Sequence, residues 1–201
     1  DHGLIKNDGQ KIYEINRNYD KKIINEIDLS FKNRASYNYE LVKSFAYIKI
    51  KKKIFNKNLF KYYRQLTGIV FLHDFKDQNH FYNYTLFEDY YEWADYSCNL
   101  ISELKLNIGI KPHPNECDES KEISNLLKKK YPHLTWIDPQ MSNNFFLLNK
   151  HFKFGISIGG NILSELAYFK KIPIYLANNA MENFLPYKKP INTKQYKDYI
   201  I

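Results

Sequence analysis

Five short apolar runs, separated by polar stretches of helical character, set the tightest limit on what this chain can fold into. They fall at residues 68–75 (GIVFLHDF), 106–110, 134–137, 154–158 and 172–176. Between them the spacing predicts helices over 86–105, 120–130, 142–149 and 162–170, with one more beginning in 192–201. A continuous apolar run fits a strand buried on both faces, which is the condition of strands in a parallel sheet. Strands and helices alternating at this interval mean βαβ units. Right-handed crossovers then bring every strand's C-terminal end to one edge. The expected class is α/β, with a Rossmann-like parallel sheet covered by helices on both faces over residues 67–201.

Residues 1–66 read differently. Residues 1–16 fit a strand or hairpin turning at Asp8-Gly9. Residues 19–66 read as mostly helical, broken by the lysine-rich run 49–53, beside which Ile48, Ile50 and Ile54 also fit a strand. This segment is expected to be a remnant or linker ahead of the regular domain. Within that domain, Glu88 and Asp89 suit the positive start of the 86–105 helix, and Ser142 or Asn143 is the expected N-cap of the next short one.

Composition matters mainly for what it excludes. A chain of 201 residues with 44% hydrophobic and 17% aromatic content has ample material for a core. The net charge is +8, yet Arg17, Arg34 and Arg64 are the only arginines, so the excess is lysine. Nucleic-acid readers favour arginine for its bidentate contacts, and nucleic acid is not an expected partner. The lysines remain compatible with anionic donor phosphates, acidic glycans or a membrane face. Cys98 and Cys117 form no C-x-x-C pair, so no zinc framework is visible. Cys98 falls on an amphipathic helix and is expected in the core. His113 and Cys117 stand at i, i+4, but Pro114 between them spoils the helix a metal pair would need. No signal-peptide pattern appears, and no apolar run reaches the roughly 18 residues of a membrane span. The chain opens without Met and in mid-pattern. It reads as an intracellular piece of a longer protein, located in the cytoplasm or at the inner face of the cell membrane.

The chemistry should sit at the strand tips, because open α/β sheets bind ligands beyond their strand C-termini. One tip is Lys111-Pro112-His113-Pro114-Asn115, where two prolines hold a histidine on a stiff, extended turn. His113 can donate to a phosphate oxygen or protonate a leaving group, and Lys111 and Asn115 can flank the same anion. The bland alternative is a rigid turn with a surface histidine. A second tip, Ser157-Ile158-Gly159-Gly160-Asn161, leaves a strand and opens a helix. Its glycines allow close backbone approach to a phosphate, and Ser157 and Asn161 add donors. Four residues on, Glu165 can accept from a ribose diol; otherwise it is a solvated helix glutamate or a partner of Lys170 or Lys171. The third tip carries His73, Asp74 and Asp77, where a carboxylate beside a histidine suits a general base, or merely caps the turn. Tyr90, Tyr91 and Trp93 resemble an aromatic platform but, at helical spacing, are expected in the core. No D-x-D, P-loop, G-x-G-x-x-G or Ser-His-Asp series is present, and no metal or cofactor is expected.

Three segments together resemble the bacterial capsule and surface-polysaccharide glycosyltransferases of GT-B type. They are FLHDFKDQNHFYN with LFEDYYEWADYS, then NIGIKPHPNE, then GISIGGNILSELAYFKKIPIYL. The K-P-H-P element is similar to the His-Pro motif of the sialyltransferase, Kdo-transferase and CDP-glycerol polymerase group. The resemblance covers roughly residues 68–178. It implies that 67–201 is the C-terminal, nucleotide-sugar-binding half of a two-domain, metal-independent enzyme. His113 and the turn from Ser157 to Asn161 would then lie on the donor phosphates, and Glu165 on the ribose. From the residues themselves, Asp74 or Asp77 is the candidate base, and a glycan or glycolipid is the expected acceptor. Asn161 departs from the pattern, which often has a hydroxyl residue after the glycine. Two alternatives stay open: a sugar-nucleotide epimerase of the same architecture, and a non-catalytic module for polysaccharide assembly or export.

Overall fold

The structure, a computed structural model, describes residues 21–35, 61–76, 86–177 and 187–201. Helix α1 (Lys21–Ala35) precedes β1 (Gly68–Phe71), α2 (Tyr90–Glu103), β2 (Ile108–Lys111), α3 (Asp118–Lys130) and β3 (Thr135–Trp136). Then follow α4 (Asn144–Leu147), β4 (Phe154–Ser157), α5 (Ile162–Tyr168), β5 (Ile172–Tyr175) and α6 (Thr193–Ile200). The expected α/β class is what the structure shows. The strands form one sheet of order β3-β2-β1-β4-β5, and every pairing is parallel. The chain works outward from β1 to β3, returns to β4 beside β1, and works outward the other way. With right-handed crossovers, that reversal sends α2 and α3 to one face and α5 to the other.

The strands are apolar because both faces are covered. Ile69, Val70, Ile110, Ile156 and Ile174 are fully buried. Strand glycines mark where side chains press onto the sheet: a Cβ at Gly109 would meet Ile137 and Leu66, and one at Gly155 would meet Leu166 and Phe71. Asp89 starts α2 by accepting from the Glu92 amide at 2.7 Å, while the Glu92 carboxylate reaches back to the Glu88 amide at 2.6 Å. This is close to a capping box. For α4, Ser142 supplies the capping bond, its hydroxyl accepting from the Asn144 amide. Asn143, at the N-cap position, makes no such bond.

Helix α6 seats on α2 through a buried polar knot. The Ser97 hydroxyl lies 2.7 Å from the Tyr196 hydroxyl, and the Trp93 indole N–H donates to that same oxygen at 3.3 Å. Burial, first, pushes the Tyr196 phenol well above its usual pKa. Cys98 lies beside this knot in the core, its thiol pushed up to about 12, chiefly by burial. Of the three aromatic residues expected inside, Tyr90 and Trp93 are buried, but Tyr91 is 42% exposed because α2 presents that position to solvent. Beyond β5, Lys188 makes one further parallel bridge to Ile174. The Lys188 amide donates to Pro173 O, and the Tyr175 amide to Lys188 O.

Two sequence expectations need adjustment. The run over 68–75 is a strand only to Phe71; Leu72 still donates to Lys111 O, after which the chain turns toward α3. Of the mostly helical stretch over 19–66, α1 is described and helical, while the hairpin at Asp8-Gly9 and the lysine-rich run lie outside the described residues. No helix among the described residues is long and apolar enough to cross a membrane.

Candidate functional site

The tips of β1, β2 and β4 adjoin where the strand order reverses, which in open α/β sheets is the ligand crevice. His73, His113 and the Gly159-Gly160 turn meet there. The His73 and His113 rings stack with centroids 5.9 Å apart and planes inclined by 28°. Tyr90 backs His73 from α2, its ring 5.5 Å away. Gly160 has φ of +93°, a left-handed conformation that side chains resist. A Cβ there would point toward His73, 3.9 Å from Nε2.

The turn carrying His113 is braced on several sides. The Asn115 amide donates to His113 Nδ1 at 3.3 Å, which leaves Nε2 as the N–H of the neutral ring. The Gln140 side chain donates to Pro114 O at 2.7 Å. Glu116 folds under the turn, accepting from the His113 backbone amide and from the Ser124 hydroxyl. Its pKa is raised, mainly by burial and also by nearby Asp74, against the lowering effect of those hydrogen bonds.

Asp74 anchors the start of α3 from the β1 tip, although the N-cap residue itself is Cys117. Its carboxylate accepts from the Cys117 amide at 3.0 Å, the Lys76 amide at 3.0 Å and the Ser120 hydroxyl at 2.5 Å. Ser120 in turn accepts from the Phe75 amide. Burial raises the pKa of this carboxyl, but the hydrogen bonds outweigh it and the net shift is downward. A carboxylate so engaged is a weak proton acceptor, so the geometry suits the capping role better than the general-base role. Asp77 lies outside the described residues.

Other expected donors face inward. The buried Ser157 hydroxyl donates to Phe71 O at 3.1 Å and Gly159 O at 2.9 Å, so it ties β4 to β1. Lys111 is 2% exposed and donates to Pro139 O at 3.0 Å. Its ammonium is pulled down to about 7 by burial, with Glu165 and then Asp138 opposing. Glu165 is 5% exposed and accepts from the Asn143 amide at 3.3 Å. It is therefore not a solvated helix glutamate, and the charge of Lys111 acts on it from within the core. Asn115 and Asn161 are exposed at the rim.

Sequence reasoning left out Asn143, Gln140 and Glu116, which brace the site, and it did not pair His73 with His113. The only sequence signal for the pair was that each histidine ends a predicted strand. Among the described residues, no group of three or more His, Cys, Asp or Glu side chains could hold a metal ion. The fold and the edge define the class: a Rossmann-like α/β domain whose polar groups converge on its strand-reversal crevice. No protein-family model matches the chain, and no curated protein matches it significantly.

Proposed function

We propose that this chain is the donor-binding part of a glycosyltransferase that moves a sugar from a nucleotide-sugar to a growing bacterial capsule or surface glycan. The observation that carries the reading is the convergence of His113 and the Gly159-Gly160 turn at the point where strand order reverses. That crevice is where comparable sheets bind nucleotides. The three motif segments that resemble surface-polysaccharide glycosyltransferases supply the reaction class.

In this reading an acceptor hydroxyl attacks the anomeric carbon, and the bond from that carbon to the donor phosphate breaks with its electrons passing to the phosphate. The His113 Nε2–H and the glycine-turn amides stabilise the departing charge. Glu165, held by the Asn143 side chain, is a pre-oriented acceptor for the ribose hydroxyls. Because Asp74 is committed to α3, the acceptor's proton goes to another base.

The test is calorimetric titration with CMP, UDP, GDP and CDP on the wild type, His113→Ala and Glu165→Gln. One nucleotide should bind selectively, with affinity falling at least about tenfold in each variant, or about 1.4 kcal/mol. Absence of binding by all four would sink the donor-domain reading.

A further inference from the structure

We infer that His73 is a second ligand-contacting residue, and that His73 and His113 together form a two-imidazole clamp for the phosphates of a diphosphate-bearing ligand. This deepens the donor-pocket reading and rests on it for the nature of the whole ligand. The clamp itself stands on geometry. The two rings come from adjoining strand tips, lie face to face at 5.9 Å, and bear on the same crevice. His73 Nε2 is the described atom nearest to where a Gly160 Cβ would be, at 3.9 Å, so that nitrogen and the glycine turn border the same crevice. On His113, the Asn115 amide occupies Nδ1 and directs the N–H of the neutral ring to Nε2. Two imidazoles with ring centroids 5.9 Å apart suit two oxygens of one phosphoryl group, or one oxygen from each of two linked phosphates.

Both rings are held from behind. Tyr90, buried on α2, packs on His73, and Glu116 holds the His113 backbone from beneath. The nearby carboxylates are engaged elsewhere: Asp74 by the start of α3, and Glu116 by Ser124 and the His113 backbone.

Inorganic pyrophosphate separates the clamp from the nucleotide reading. It should bind the wild type, and His73→Phe, which keeps the ring stack but loses the donor, should weaken it at least tenfold. His73→Gln, which keeps a donor near the Nε2 position, should recover part of that loss. In the double variant with His113→Phe, the losses should fall short of additive, because both residues hold one ligand. Should His73→Phe prove unable to fold, the wild type still decides: the His73 imidazole resonances must shift on adding pyrophosphate. Pyrophosphate binding that depends on His73, with no nucleotide bound, would support the clamp and overturn the glycosyltransferase reading. A nucleotide that binds His73→Phe within twofold of wild type would overturn the clamp and leave that reading standing. No binding of either probe overturns both.

Discussion

The two ends of the sheet differ in a way that volume alone would misjudge. A cavity of about 980 Å³ lies at the N-terminal edge, lined by Lys61, Arg64, Asn144, Phe145, Leu148 and Lys150 among others. These residues lead into β1 and β4, on the opposite side from the strand tips. Leu148 and Lys150 are exposed there, and the groove is open to solvent. The C-terminal edge carries far more organisation: a left-handed glycine, a stacked histidine pair, a hydrogen-bonded carboxylate, and a buried lysine and glutamate. Side chains held by several partners cost entropy to order, and an ordered polar crevice is what ligand chemistry requires. The difference teaches that preorganised polar groups, rather than room, mark the candidate site.

If the comparison is right, substitutions at the C-terminal edge should cost most. Lys111→Met leaves Pro139 O without its donor and removes the positive charge acting on buried Glu165, so stability should fall by about 1–3 kcal/mol in urea titrations. Adding Glu165→Gln should restore much of it; failure to do so would break the pairing. The same lysine gives a pH signature. Its folded pKa of about 7 lies below the unfolded 10.5, so between those values the unfolded chain holds the proton more. Its burial penalty is complete below pH 7 and relaxes as pH rises toward 10.5. The stability of wild type relative to Lys111→Met should therefore climb across that window.

Smaller effects follow at the caps and turns. Asp74→Asn should cost about 1 kcal/mol, as lost helix caps do, while nucleotide affinity stays within about threefold. The folded pKa of Asp74 is depressed, so its contribution is present above pH 3.8 and disappears as pH drops through the folded value. Denaturant midpoints of wild type and variant should differ at neutral pH and converge at acid pH. Gly160→Ala forces a side chain into φ of +93° and should also cost about 1 kcal/mol, with weaker nucleotide binding. Smallest of all, Arg64→Ala and Lys150→Ala in the N-terminal groove should shift stability by less than about 0.5 kcal/mol. Neither should alter nucleotide affinity; a tenfold loss at either position would move the site to the other end.

The sheet was legible because apolar runs without alternation demand burial on both faces, and each of the five is a strand. Strand order was not, since nothing local in Leu134 or Phe154 says that β4 returns beside β1. At the site, residue types were informative and orientations were not. Ser157 reads as a donor facing a ligand, yet its hydroxyl bonds Phe71 O across 86 residues of chain. Glu165 reads as a ribose acceptor or a solvated helix glutamate, and only the packed fold buries it beside the Asn143 side chain. Asp74 stands beside His73 in sequence, but its partners, Ser120 and Cys117, arrive from α3 more than forty positions later. Long-range partners decide which way a polar side chain is committed, and no spacing rule encodes them.

The bridge from Lys188 to β5 bears on how this sheet behaves in a crowded solution. An open sheet has two margins, and each is a template on which a stray strand can grow. Here β3 is two residues long and offers little to copy. On β5, the outward-facing position at Pro173 has no N–H to give, its carbonyl is taken by the Lys188 amide, and the Tyr175 amide is spent on Lys188 O. A recruit at that margin would have to displace a segment already bonded and carrying a lysine. The molecule thus keeps its reactive polar groups at the strand tips while its flanks resist the edge-to-edge addition that leads to aggregates.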